Sequence, residues 1–409
     1  MDPLPVSERL FRHRPYVLFW TARSLSAFSV QMAAVATGWL DYEKNGSAYL
    51  HGFIGQAQIV PMVLLTLPVW HVADRADRRR IVFACQLIEC AALAFLAAGI
   101  VGGWLQLLHI FAAVVVLGAA QAFERPTMSA LLPSLVPTGM LQRAIAMASS
   151  ANQSAYIVGP AIGGLLYAVH VAVPFAVSAS FMFGAAMLMI AIRAERPAPR
   201  REPATLASVF SGISFIWHRP ILLGAVSLDL FAVLLGGATA LMPIYAHDIL
   251  GTGPWGLGVL RAAPAAGALT MSLFLSRISM RRGVGAKLFV AVAGFGLATV
   301  VFALSRNIAL SVAALFVVGV CDNISVVIRS SLVQLATPDD VRGRVNAVHS
   351  LFIGTSNQLG EFESGITAGL LGAVPAALLG GVATIAVVLI WARVFPALRR
   401  IESLSGPVA

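Results

Sequence analysis

Twelve apolar runs, each of about twenty residues, follow one another along this chain and limit how it can fold. A run of this length crosses the ~30 Å hydrocarbon core of a bilayer as a single helix. The runs cover residues 16–40, 50–71, 81–101, 106–130, 144–169, 172–192, 220–246, 256–276, 287–305, 309–332, 346–371 and 375–396. Charged residues make up only 11% of the chain, against roughly 25% in soluble domains. The sequence therefore predicts an all-α integral membrane protein with twelve transmembrane helices.

The basic residues predict the orientation of these helices. The net charge is +10, and most Lys and Arg residues fall in the termini and in every second loop, whereas Lys44 and Arg306 fall in loops of the other side. Loops rich in Lys and Arg stay cytoplasmic, so we expect both termini in the cytoplasm and the chain in an inner (plasma) membrane of bacterial type. Because this topology accounts for the positive charge, we expect no nucleic-acid partner.

The longest polar connection divides the apolar runs into six plus six. The expected divisions are an N-terminal half (1–192), a cytoplasmic linker with a surface helix near Ala207 to Trp217 (193–219), and a C-terminal half (220–409). Shifting the chain by 201 residues places Gly118 on Gly319 and Arg143 on Arg344. Such a repeat predicts two pseudo-symmetric six-helix halves, with the substrate path between them.

A charged stretch lies between the second and third runs. Its Asp74-Arg75-x-x-Arg78-Arg79 spacing resembles the loop between the second and third helices of the major facilitator superfamily, and the whole chain looks like a transporter of that superfamily. In the family, the Arg four residues after the Asp pairs with an acid low on the fourth helix. The resemblance therefore implies a cytoplasmic latch in which Glu124 is the partner of Arg78.

The fifth run contains Gly159, Pro160, Gly163 and Gly164, which resemble the Gly-Pro-x-x-Gly-Gly signature of proton-driven exporters. Small residues let helices approach closely and proline bends a helix, so the motif favours a conformational hinge. Ordinary small-residue packing is the alternative. Three longer stretches, residues 241–251, 258–264 and 337–345, look like the branch of the superfamily that includes enterobactin exporters.

Charged residues inside the apolar runs are functional candidates, because a charge at mid-bilayer costs about 2.5–3.5 kcal/mol. The candidates for the substrate and proton pathway are Arg23, Gln31, Gln121, Asp229, Asp322 and Glu361. A carboxyl in a poorly hydrated site can take up a proton on one side of the membrane and release it on the other. The alternative is static pairing, for example of Asp322 with Arg329, which lies seven residues later on one helical face. Glu89 is expected to have a structural role.

The sequence does not favour an enzyme. It contains no nucleophile–base constellation, no cluster with metal-ligand spacing and no Gly-x-x-x-x-Gly-Lys phosphate loop, so we expect no metal, cofactor or ATP-driven step. The expected function is secondary active, proton-coupled export of a small organic or amphiphilic molecule, of drug or siderophore type, by a monomer with alternating access. An importer or lipid or metabolite transporter of the same fold, or a non-transporting membrane sensor, remains open.

Overall fold

A computed structural model describes residues 10–45, 57, 61, 64, 65, 77–137, 140–192, 206–277 and 283–402. The long helices in these residues are α1 (Arg14–Asn45), α2 (Arg78–Val101), α3 (Leu107–Leu135), α4 (Leu141–Val169), α5 (Val173–Ile190), α6 (Leu206–Trp217), α7 (Pro220–Leu235), α8 (Gly253–Arg277), α9 (Val284–Leu304), α10 (Ile308–Leu335), α11 (Asp339–Leu371) and α12 (Ala373–Val394). A short helix, Pro396–Arg399, follows α12.

The apolar runs predicted most of these helices. Each predicted span has a helix at its position, except the run at 50–71, which lies outside the described residues apart from isolated positions. Eight helices of the described chain are long and apolar enough to cross a membrane. The expected surface helix corresponds to α6. The nearly all-helical structure confirms the all-α membrane fold.

The seventh predicted span is not one continuous α-helix. It ends as an α-helix at Leu235, before Gly236 and Gly237, and continues through a 3₁₀ turn (Ala238–Leu241), a short helix with Pro243, and a π turn (Tyr245–Ile249). Adjacent glycines lower helix propensity, and proline removes one backbone hydrogen-bond donor. These residues explain why the predicted span at 220–246 is interrupted.

The contacts divide the chain into two compact units. Unit 1 contains α1 to α5 together with the start of α8 (Gly253–Ala262), and unit 2 contains α6, α7, the rest of α8 and α9 to α12. In unit 1, α1 packs on α4 and α5, and α2 packs on α3 and α5. In unit 2, α7 packs on α11 and α12, and α9 packs on α10 and α12. The pairing order is therefore the same in both units when α1, α2, α3, α4 and α5 are matched with α7, α9, α10, α11 and α12.

Each unit has its own apolar core. In unit 1, Tyr16 and Phe19 of α1 pack with Leu131 of α3, and in unit 2 Phe289 of α9 packs with Leu332 of α10. Other large apolar side chains of the same helices are exposed, as expected for surfaces that face lipid. The buried polar residues of the spans are therefore the ones that stand out, and the main clusters of them are described next.

Candidate functional site

Two aspartates and one arginine form a charged cluster inside unit 2. Asp229 of α7 and Arg329 of α10 are both buried and form an ion pair. Asp322 lies two helical turns before Arg329 and interacts electrostatically with both of them. With both aspartates ionised, the cluster would hold two negative charges and one positive charge. Arg329 is shared by the two acids, and its closest partner is Asp229 rather than Asp322, which the sequence had suggested.

A small cavity adjoins this cluster. It has a volume of about 10 Å³ and is lined by Asp229, Asp322 and Ser325 together with apolar residues of unit 2. This volume is close to the minimum for a single water molecule and far too small for an organic substrate. Among the described side chains, none donates a hydrogen bond to Asp322. His349 of α11 faces Arg329 from the neighbouring helix. The cluster therefore suits a proton or water better than an organic ligand.

Unit 1 contains a larger polar cavity, with a volume of about 200 Å³. It is lined by residues of α1, α3 and α4: Arg23, Ser26, Ala27, Val30, Gln31, Glu124, Arg125, Met128, Ser129, Asn152, Ala155 and Tyr156. Complete drug-sized sites usually measure about 300–1,000 Å³, so this cavity accommodates part of such a molecule. Arg23 and Gln31, two predicted pathway residues, thus share one cavity.

Glu124 is the centre of a buried hydrogen-bond network beside this cavity. Its Oε1 accepts bonds from Ser26 Oγ at 2.8 Å and from Gln86 Nε2 at 2.9 Å. Arg23 lies close enough to interact electrostatically with the same carboxylate. Glu89, one turn after Gln86, is fully buried and in contact with Glu124. Residues of two other helices, α1 and α2, therefore converge on this carboxylate of α3, although the family resemblance had assigned it to the latch.

The latch residues are only partly described. Asp74 and Arg75 lie outside the described residues. Arg78 donates to the carbonyl oxygen of Ala130 on α3 at 3.0 Å, and these described side chains form no Arg78–Glu124 ion pair. Glu124 lies six residues before Ala130, about 9 Å away along the helix axis, which explains why Arg78 does not reach it in this structure.

Arg79 has a different pair of contacts. It forms an ion pair with Asp77 at 2.8 Å and donates to the carbonyl oxygen of Ile192 at 2.7 Å. Asp77 also caps the start of α2 by accepting from the Arg79 backbone N–H. The hydrogen bonds from the Arg79 side chain hold the pKa of Asp77 below its ordinary value. Arg79 therefore ties the start of α2 to the end of α5.

The predicted hinge residues lie at very close helix contacts. A Cβ added to Gly159 would be 2.7 Å from Gln31 Cβ, and one added to Gly163 would be 2.9 Å from the Met32 backbone, both on α1. A Cβ at Gly164 would be 2.5 Å from the Pro254 carbonyl oxygen at the start of α8, within unit 1. Glycine is therefore required at these approaches, with Pro160 inside the same helix.

The remaining predicted candidates, Gln121 and Glu361, are not among the residues that line either cavity. Gln121 is buried on α3, where its Oε1 accepts from Arg125 at 3.0 Å. Glu361 is exposed on α11. Sequence reasoning missed Gln86 and Ser26, and it expected only a structural role for Glu89. The three-residue spacing of Gln86 and Glu89 was a usable signal, because it places both on one helix face.

Known proteins resemble the chain over most of its length. The profile of the transmembrane secretion effector family matches residues 5–406. The multidrug efflux pump Tap of Mycolicibacterium fortuitum is 25% identical over 413 residues, covering 96% of this chain and 98% of that protein. Tap of Mycobacterium tuberculosis strain H37Rv is 26% identical, covering 86% of each chain.

Solved structures support the same fold. A bacterial homologue of the human lysosomal transporter Spinster, in an inward-facing conformation, matches with a TM-score of 0.70 at 14% identity and 98% coverage of both chains. The POT family transporter PepTSo matches with a TM-score of 0.74 at 11% identity, covering 95% of this chain and 98% of that chain. The chain therefore belongs to the transmembrane secretion effector family of the major facilitator superfamily and is a multi-pass membrane transporter.

Proposed function

We propose that this protein exports a small organic or amphiphilic molecule, of drug or siderophore type, in exchange for protons. The proposal rests on one observation above all: the buried cluster of Asp229, Asp322 and Arg329 contains one more acid than base. The full-length similarity to Tap multidrug efflux pumps supports export rather than import. We further propose a monomer in an inner membrane of bacterial type, with both termini in the cytoplasm.

The acid cluster accounts for proton binding. Asp229 and Arg329 neutralise each other, so a proton on Asp322 makes the cluster neutral. Loss of that proton leaves one uncompensated negative charge inside the membrane, at a cost of about 2.5–3.5 kcal/mol. Opening the small cavity to water would reduce this cost. Proton occupancy of Asp322 would in this way favour one conformation over another, as alternating access requires.

The polar cavity of unit 1 accounts for part of the substrate contact. Arg23 and Glu124 supply charges of both signs, Gln31 supplies an amide, and the ring of Tyr156 is 48% exposed. An aromatic surface beside a few polar groups is a typical lining for amphiphilic ligands. We propose that this cavity contacts the polar end of the exported molecule. The close contacts of Gly159, Gly163 and Gly164 would let α4 move as a unit, and Arg78 and Arg79 would hold the cytoplasmic end of α2.

Transport in proteoliposomes tests this function directly. The purified chain is reconstituted around an internal pH dye and challenged with a panel of cationic drugs and catecholate siderophores. We expect a substrate-triggered pH change that is lost in Asp322→Asn. Asp248→Asn is the matched control, because Asp248 is an exposed aspartate paired with His247 near the end of the seventh span. Substrate flux with no proton signal in the unaltered protein would contradict proton coupling, and equal signals in both variants would remove Asp322 from the pathway.

A further inference from the structure

A second group of buried acids lies in unit 1, at a position the proposed proton pathway does not use. Glu89 of α2 is completely buried, and neither of its carboxylate oxygens has a hydrogen-bond donor among the described residues. Its side chain is nevertheless in hydrogen-bonding contact with the carboxyl of Glu124. Two carboxylates can only accept hydrogen bonds, so a bond between them requires a proton on one of them.

Counting donors and acceptors leads to the same requirement. Gln86 gives one N–H to Glu124, while its own Oε1 is buried with no donor in the part of the chain that the structure describes. Together with both oxygens of Glu89, three buried acceptors on one face of α2 lack a donor. Buried polar atoms are normally satisfied, because an unpaired one costs about 1–3 kcal/mol. A single proton on Glu89 turns one of these three acceptors into a donor, which can bond to the carboxyl of Glu124.

The geometry of Glu124 leaves a place for that bond. Ser26 and Gln86 both donate to Oε1 of Glu124. Oε2 is therefore free of these two donors and can accept the O–H of a protonated Glu89. The Glu124 carboxylate is held in place by bonds from two other helices, which fixes the acceptor before the proton arrives.

The charges that face this pair also favour one proton. Arg23 of α1 faces Glu124, Arg125 of α3 acts on Glu89 from the exposed side, and the Cys85 thiol lies close to both acids. Helix α5, which packs on α2, has no ionisable side chain between Val173 and Ile190. With one shared proton, the two acids carry a single negative charge that Arg23 balances. With none, a second negative charge would be buried, and among the described residues the further cation, Arg125, lies on the exposed side.

We propose that Glu89 and Glu124 share one proton and form a second proton-binding site of this transporter, next to the cavity of unit 1. The role of this site in transport rests on the proposed proton-coupled export. The shared proton does not, because it is present in the resting protein without substrate. The proton would be released to the cavity when Glu124 engages a different partner. Each unit would then contain a two-acid, one-arginine site, at positions that are not equivalent in the internal repeat.

Infrared difference spectroscopy of the full chain in liposomes tests the shared proton without any substrate. We expect a protonated-carboxyl band, shifted by exchange into D₂O, of which one component is lost in Glu89→Gln. Glutamine preserves the size of the side chain and can donate to Glu124, so the variant should fold. Glu43→Gln is the matched control, because Glu43 accepts a bond from the Tyr167 hydroxyl at 2.8 Å and is not part of the Glu89–Glu124 pair.

A second variant tests whether the proton is shared. In Glu124→Gln the Glu89 band should change frequency, since its hydrogen-bond acceptor becomes an amide. A band unaltered by Glu89→Gln, or by Glu124→Gln, would overturn the proposal. Because these spectra need no transport, failure of the export proposal would leave their outcome unaffected. In the transport assay, Glu89→Gln should move one proton fewer per substrate than the unaltered protein, and an unchanged ratio would exclude this site from coupling.

Discussion

Replacing Gly164 by alanine tests whether close backbone packing between α4 and the start of α8 stabilises unit 1. The added Cβ would lie 2.5 Å from the Pro254 carbonyl oxygen and 3.2 Å from the Cα and N of Gly258. An ordinary van der Waals contact begins at 3.4 Å. The backbones must therefore separate by about 0.9 Å, since none of the three atoms belongs to a side chain that could rotate away.

The loss of unfolding free energy caused by this overpacking can be measured against a second glycine-to-alanine variant. Overpacking a tight interior costs about 1–3 kcal/mol. Alanine in a helix also gains about 1 kcal/mol over glycine, which would hide part of that cost. Gly184→Ala, on α5 of the same unit, has the same gain, but its Cβ would meet Leu25 Cδ1 at an ordinary 3.5 Å. We therefore expect Gly164→Ala to be less stable than Gly184→Ala by about 1–3 kcal/mol.

Chemical unfolding in detergent, followed by tryptophan fluorescence, measures this difference. Each variant is compared with the unaltered protein at the same detergent concentration, and transport is recorded in parallel. Equal unfolding free energies for the two variants would refute the packing argument. A stable Gly164→Ala protein with impaired transport would instead favour the hinge function over simple packing.

Three further predictions concern buried or capping contacts. Arg329→Met should cost about 3–5 kcal/mol of unfolding free energy by leaving Asp229 buried and unpaired, and adding Asp229→Leu should restore most of it in the same unfolding measurement. The pKa of Asp77 is lower in the folded state because Arg79 donates to its carboxylate. The ionised Asp77 therefore stabilises the folded protein fully above the ordinary pKa of 3.8, and this stabilisation is lost as the pH falls through the folded-state pKa. In unfolding measurements over a pH series, Asp77→Asn should abolish that acid-induced loss. Tyr245→Phe removes a buried 3.0 Å hydrogen bond to a carbonyl oxygen of α9 and should lower the unfolding free energy by about 1 kcal/mol, whereas no change would show that water replaces it.

The sequence predicted the helices because membrane insertion depends on local composition. A run of apolar residues needs no knowledge of its neighbours to be recognised as a span, and the positions of α2, α3, α9 and α10 follow from this rule. The family resemblance also came from short local motifs. The break after Leu235 was missed, although Gly236 and Gly237 were visible in the sequence, because the surrounding residues are equally apolar.

Side-chain partners were predicted less well, because they depend on which helix faces are brought together. Asp322 and Arg329 lie on one helix face, so the sequence favoured their pairing, but packing of α7 against α10 supplies Asp229 to the arginine. The family pattern likewise assigned Glu124 to Arg78. Burial of Glu124 among residues of α1 and α2 shows how a long-range contact overrides that local analogy.

The sequence alone determined that this chain spans a membrane, that it repeats, and that a few charges are placed at a high energetic cost in apolar runs. These properties depend on the composition of neighbouring residues, because each segment enters the bilayer according to its own hydrophobicity. Only the tertiary structure decided which charges meet. Glu89 and Glu124 are 35 positions apart on different helices, and their contact depends on the packing of α2 against α3, which no local pattern specifies.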